Sequence, residues 1–150
     1  MEESQVNLII AQIRDEYGAE PEFLWPERYP TYCIFRHSNN KKWFALVGDV
    51  SDKSLGMDSD KKVDIINLKF DNGQALDFAE NTPGVFPAYH MNKQHWITIA
   101  LDGTLPDEAV MELVKKSYLL TDKWDFDGRR SVKKYLVVRR DTKTKIRAAS

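Results

Sequence analysis

A single cysteine, Cys33, is all the thiol chemistry this 150-residue chain holds. One cysteine closes no internal disulfide and builds no thiolate metal site. It sits in the apolar run "TYCIFR", which reads as a buried, inert thiol rather than a nucleophile. Long hydrophobic runs are lacking too: nothing approaches the roughly 18 apolar residues of a membrane span. The opening "MEESQVNLII" has no basic region ahead of its apolar residues, so no secretory signal is expected and the chain reads as cytoplasmic, with no membrane partner. Seven glycines, mostly at isolated turns, argue against a phosphate-cradling loop. Histidine is scarce, with only His37, His90 and His95. His90 and His95 are five apart, which matches neither the helical i,i+4 pair of a zinc protease nor same-face strand spacing, and no Cys or Glu stands close by in sequence. No Ser-His-Asp signature and no HExxH pattern exists. The expectation is a protein without catalytic residues, metal or cofactor.

What is present suits one ordinary globular domain: 42% hydrophobic and 30% charged residues, in a chain long enough to bury a core. The net charge of −1 conceals an asymmetry. Residues 129–150 carry nine basic side chains against one acid, a balance of +8, and residues 1–128 carry 13 basic and 22 acidic, a balance of −9. Such a basic cluster is either a nucleic-acid arm or a solvated tail that partly neutralises an acidic body. The chain divides accordingly into a domain over residues 1–121 and a basic extension over 122–150.

Periodicity supplies the elements. Val6, Ile9, Ile10, Ile13 and Tyr17 fall at helical spacing, with Gly18 as a stop. Pro21, Pro26 and Pro30 then force a loop. "TYCIFR" and "WFALVGDV" flank the polar tip "HSNNKK" as a hairpin, and "VDIINLKF" is a third strand. "DNGQALDFAEN" reads as a short helix capped by Asp71, "TPGVFPAY" as a loop, and "HWITIALD" as a strand. "TLPDEAVMELVKKSYLL" reads as a helix with a Thr104-x-x-Asp107 capping pattern and Pro106 in its first turn. "SVKKYLVVRR" has strand character, and "DTKTKIRAAS" reads as frayed. This order predicts an α+β fold: a mostly antiparallel sheet covered on one face by the N- and C-terminal helices, its other face partly open.

The stretch "PAYHMNKQHWITIALDG" combines a polar turn with an apolar strand. Alternation puts His95, Ile97, Ile99 and Leu101 on the core-facing side and Trp96, Thr98 and Ala100 on the other, so His95 is expected at the rim of the core as a structural residue. His90, Asn92 and Lys93 form a cationic turn of a kind that contacts phosphates and bases, or else simply shapes a tight bend. Trp43 alternates with Phe44, so one of the two must face away from the core, and Trp96 is expected to do so as well; an aromatic ring there stacks a base or anchors a partner protein.

The segment "YHMNKQHWITIALDGTLPDEAVMELVKKSYLL" resembles the signature of the MmcQ/YjbR family, with the pattern H-x-N-K-x-H-W, a short apolar strand, L-D-G-x-L-P-D and a helix ending near S-Y. His90, Asn92, Lys93, His95, Trp96, Leu101, Asp102, Gly103, Leu105, Pro106, Asp107, Ser117 and Tyr118 match, and "KKWFALV" and "INLKFDN" also look like family segments. The likeness covers roughly residues 5–121 and leaves the basic extension unexplained. It implies a bacterial domain of CyaY/frataxin-like, double-wing architecture, a shape on which family members are commonly labelled DNA-binding.

Three functions compete. The leading one is a DNA-binding domain, with Lys41, Lys42, His90, Asn92 and Lys93 as contacting wings (the hairpin tip at 39–42 and the turn at 90–93) and Arg129 and Arg130 adding phosphate contacts. The second is a protein-interaction module that offers Trp43 and Trp96 to a partner. The third follows from the frataxin-like shape, in which Glu2, Glu3, Asp15 and Glu16 of the first helix are cast as metal ligands.

Overall fold

A computed structural model describes residues 4–122 in full, and of the segments beyond them the backbone of residues 125–126 and 129–130. Helix α1 (Gln5–Tyr17) starts at Ser4, whose hydroxyl accepts from the Asn7 amide, and stops at Gly18, where φ is 63° and the amide donates back to Arg14. Glycine meets this left-handed conformation without strain, as the sequence requires of a stop at that point. Strands β1 (Cys33–Arg36), β2 (Trp43–Ser51) and β3 (Lys62–Lys69) follow, with one turn of 3-10 helix (Asp52–Leu55) between β2 and β3. Helix α2 (Ala75–Asn81), strands β4 (Val85–Pro87) and β5 (Trp96–Ala100), and helix α3 (Asp107–Thr121) complete the domain. Beyond it, β6 (Asp125–Phe126) and β7 (Arg129–Arg130) pair as a short ribbon. The basic run and strand-like segment expected over 131–150 lie outside the described residues.

The sheet is antiparallel throughout, in the order β1-β2-β3-β5-β4. Its core face carries Phe35, Val47, Ile66, Leu68, Ile97 and Ile99, packed under Ile9 and Ile13 of α1 and Val110 and Val114 of α3. Each such fully buried aliphatic side chain contributes about 1.5–3 kcal/mol. The N- and C-terminal helices thus cover one face, as the pattern of the sequence predicts.

Phe35 pairs with Ala45 but Arg36 pairs with Trp43, so Phe44 is an extra residue on β2. This bulge lets Phe44 and Ala45 both enter the core while Trp43 turns to the other face. It also interrupts the ladder, and α3 repairs it. The buried Ser117 hydroxyl donates to the Phe44 carbonyl at 2.6 Å and accepts from the Lys69 amide at 2.8 Å.

Three local expectations need correction. Asp71 does not cap α2: the chain first makes a turn through Gly73, the helix starts after Gln74, and the Asp71 carboxylate pairs instead with Lys116 at 2.9 Å. Thr104 does not cap α3: Asp102 takes the Thr104 amide at 3.0 Å, and Pro106 becomes the cap. That corner is fastened by Gln5 of α1, whose amide nitrogen donates to Leu105 O and Asp107 Oδ1 and whose oxygen accepts from Gly103 N. The segment read as a loop at 82–89 contributes edge strand β4, with Val85 opposite Ile99. Pro87 lacks an N–H, which an edge strand tolerates.

Candidate functional site

On the helix-free face, alternation places Ile34, Leu46, Ile65, Asn67, Thr98 and Ala100, all buried. Two loops bury them, so this face is less open than the sequence predicts. The first is residues 22–32. Glu22 pairs with Ile34 through two backbone bonds of 2.9 Å, Thr31 donates to the Asp49 carboxylate, and the Tyr32 hydroxyl donates to Asp49 O. The Tyr32 ring rests on Gly48, where a Cβ would stand only 2.8 Å from the ring carbons. Burial, with Tyr89 and Asp49 nearby, pushes the Tyr32 phenol up to about 12, so it remains a donor.

The second loop is residues 88–91, stitched down by two polar side chains. Thr98 Oγ1 accepts from the Tyr89 amide at 2.9 Å and donates to Asn67 Oδ1, while Asn67 Nδ2 donates to the Tyr89 carbonyl at 3.0 Å. Asn67 and Thr98 are fully buried, and between them they satisfy both backbone groups of Tyr89. The next residue, His90, is displayed at φ 66°, a left-handed conformation uncommon for a side-chain-bearing residue.

Between the loops lies a cleft of about 280 Å3 lined by Trp25, Tyr29, Tyr32, Trp43, Leu46, His90 and Met91. Its rings stand at steep angles to one another. Trp25 meets Trp43 edge-on at 5.8 Å and 75°, and Tyr29 meets Tyr32 at 5.2 Å and 57°. The Arg28 guanidinium lies 5.7 Å from the Tyr29 ring centre at the rim.

The structure therefore brings His90 and Trp43 together, though the sequence places them in rival readings. Lys93 is exposed beyond the same turn, whereas Lys42 is half-buried near His37, whose pKa it lowers, and does not line the cleft. Asn92 is part of the scaffold: its side-chain oxygen accepts from Gln94 N at 2.8 Å, and its carbonyl accepts from Trp96 N at 3.0 Å. His95 is half-buried one residue before β5, with its carbonyl accepting from Phe70 N. Trp96 lies on the helix-free side opposite Lys69, whose Nζ is 5.6 Å from the indole centre, outside the cleft. Arg129 and Arg130 form β7, and their side chains lie outside the described residues.

Lys41 separates from this group. It lines a second cleft of about 260 Å3 with Tyr17, Glu20, Glu22, Arg36, His37 and Tyr118. The hairpin tip at 39–42 is tied down there, since Asn40 Nδ2 donates to Thr121 O at 2.9 Å. His37 is buried against Tyr118 and Phe44, with Nε2 2.8 Å from Thr121 Oγ1. The Thr121 hydroxyl donates to Ser117 O at 2.8 Å, so its oxygen accepts and His37 Nε2 carries the proton. Burial holds the imidazole below its ordinary pKa, against an upward pull from Asp122.

The buried Cys33 thiol is pushed up to about 11 by desolvation. Among the described residues no three His, Cys, Asp or Glu side chains converge to hold a metal ion; Asp15 and Glu16 are exposed on α1, and Glu2 and Glu3 lie outside the description. Among the same residues no helix is long and apolar enough to cross a membrane.

Residues 15–120, from the end of α1 to the end of α3, match the YjbR family model. The chain belongs to the YjbR family. It is 38% identical to the uncharacterised protein YyaQ of Bacillus subtilis over 113 residues, 75% of this chain and 94% of that one. Over 75 residues it is 53% identical to the uncharacterised Escherichia coli protein YjbR, covering 50% of this chain and 55% of that one. The fold is shared with a crystal structure from Pseudomonas syringae at 39% identity and a TM-score of 0.72, covering 77% of this chain and 97% of the other. A Deinococcus radiodurans structure carrying the family-model domain DUF419 follows at 26% identity and a TM-score of 0.55, covering 78% of this chain and 77% of the other.

The sequence reading named Trp43 and His90 but missed Trp25, Tyr29, Tyr32 and Met91. Their signal was present in "LWPERYPTY", where three aromatic residues lie within a proline-rich loop that helix or strand periodicity does not explain.

Proposed function

We propose that this YjbR-family chain is a non-catalytic, cytoplasmic DNA-binding domain that works through its helix-free face. The observation that carries the reading is the cleft itself: aromatic rings from the 22–32 loop and from β2 converge with His90, Arg28 stands at the margin, and the exposed Lys93 follows close by. Arg28 and Lys93 supply phosphate contacts, whose affinity comes from released counterions. Segregating these cations on one face answers the repulsion expected from an acidic body. The hairpin tip at Lys41 takes no part, because it faces the second cleft beside Glu20 and Glu22.

Fluorescence anisotropy of a labelled DNA in low salt tests this. The double variant Arg28→Ala/Lys93→Ala should keep its circular dichroism spectrum and bind more weakly. Its salt slope should flatten by about 0.7–0.9 for each lost phosphate contact. No wild-type binding at any salt would end the reading.

A second reading has its own support. Phe23 and Leu24 are exposed immediately before Trp25, at 52% and 40%. A protein partner that covers them and inserts a side chain beside Trp43 makes the same face a protein-interaction surface.

A further inference from the structure

We propose that the aromatic cleft is a seat for one unpaired nucleobase, so that the nucleic acid this domain prefers is single-stranded. The inference rests on the nucleic-acid reading and narrows it.

Size comes first. Pockets for drug-sized ligands run from about 300 to 1,000 Å3. A cleft of about 280 Å3 fits one planar ring system rather than a run of stacked bases. Its shape agrees, because Trp25 and Trp43 stand nearly perpendicular and make a corner with a floor at Leu46. A duplex keeps its base faces covered by their neighbours, so only a base out of the stack can bring a π-face into such a corner.

Charge comes second. The lining has no Asp or Glu, so nothing in it repels a phosphodiester or holds a cationic ligand. Arg28 stands over Tyr29 at the rim, and the exposed Lys93 follows the His90–Met91 wall. A base in the cleft thus has its backbone within a cationic margin.

Construction comes third. The wall formed by His90 and Met91 depends on two fully buried polar residues, Asn67 and Thr98, that clamp Tyr89 and set His90 at positive φ. Strained backbone held by dedicated buried partners is a common mark of ligand-contacting residues.

The test uses the full chain and four probes in low salt: a labelled short oligothymidylate, the same strand paired with its complement, an abasic strand of equal length, and inorganic polyphosphate. The base-carrying single strand should bind tightest, with the abasic strand and the duplex well behind. Trp43→Ala should weaken single-strand binding roughly tenfold to a hundredfold, as expected for one lost stacking partner. It should barely move binding of the abasic strand, and Trp43→Phe should recover most of the loss. Should Trp43→Ala fail to fold by circular dichroism, Trp25→Ala gives the same comparison. Equal binding of duplex and single strand, or loss of abasic-strand binding in step with the others, overturns the unpaired-base seat and leaves the DNA-binding reading standing. Failure of every nucleic-acid probe overturns both and leaves the cleft to a protein side chain.

Discussion

The ring of Tyr32 occupies the space that a side chain at Gly48 would need. A Cβ there would come within 2.8 Å of the ring, far inside ordinary contact. Because Tyr32 is also a wall of the aromatic cleft, this one glycine fixes the position of the wall. Gly48→Ala should cost about 1–3 kcal/mol through overpacking, read as a lower urea midpoint. The substitution should also disturb the cleft. Adding Tyr32→Ala should restore part of the lost stability by removing the clash, a non-additivity that a double-mutant cycle measures.

Asn67 should prove costly to replace although it touches no ligand in either reading. Asn67→Leu keeps the volume but strands the Tyr89 carbonyl and takes the acceptor from Thr98. About 1–3 kcal/mol should be lost, seen as a lower thermal midpoint. Oligonucleotide binding should fall further than stability alone explains, because His90 and Met91 lose their mooring.

Ser117 should behave as part of the sheet although it sits on α3. Ser117→Ala removes the group that joins Phe44 O to Lys69 N across the bulge, and each orphaned buried backbone group costs about 1–3 kcal/mol. Ser38→Ala, at an exposed position, should be near neutral and serves as the control.

Acid should weaken the fold through His37. Its pKa is lowered in the folded state, so the unfolded chain binds the proton more readily. The stability this gives is fully present above the ordinary histidine pKa of about 6.5 and is lost as pH falls from there towards the lower folded value. The groups facing the ring act in both directions: Asp122 raises its pKa, Lys42 lowers it, and Tyr118 packs against it. Urea midpoints should fall between neutral pH and pH values below 6.5, and the fall should be smaller in His37→Gln.

The layer order, the strands and both long helices were legible in the sequence because each carries a full period of apolar residues facing one core. Strand β4 was not, since three residues, the last of them Pro87, show no alternation, and only its partner β5 makes it a strand. The helix caps misled for a related reason. Asp71 and Thr104 have suitable side-chain chemistry, but Lys116 draws one away and Asp102 holds the amide of the other. In the site, alternation showed that one of Trp43 and Phe44 faces outward, and the structure makes it Trp43. The partners of Trp43 could not, because they come from a proline-rich loop whose path is set by Asp49 and Ile34 far along the chain. The roles of Asn67 and Thr98 were hidden as well, since a polar residue inside an apolar strand does not reveal what it bonds.

The clamp on Tyr89 has a consequence for the order in which the molecule assembles. Thr98 and Asn67 stand opposite each other only once β5 has paired with β3 in register. The backbone of Tyr89 therefore has nowhere to dock until the centre of the sheet exists, and the wall bearing His90 and Met91 is a late addition laid over a finished surface. What forms last on few bonds also detaches first, in excursions that leave the rest of the domain standing. Native-state hydrogen exchange should show this as an amide at Tyr89 that opens at much lower free energy than those of Ile66 or Ile99. A domain built this way can rearrange the mouth of its cleft many times over without ever unfolding.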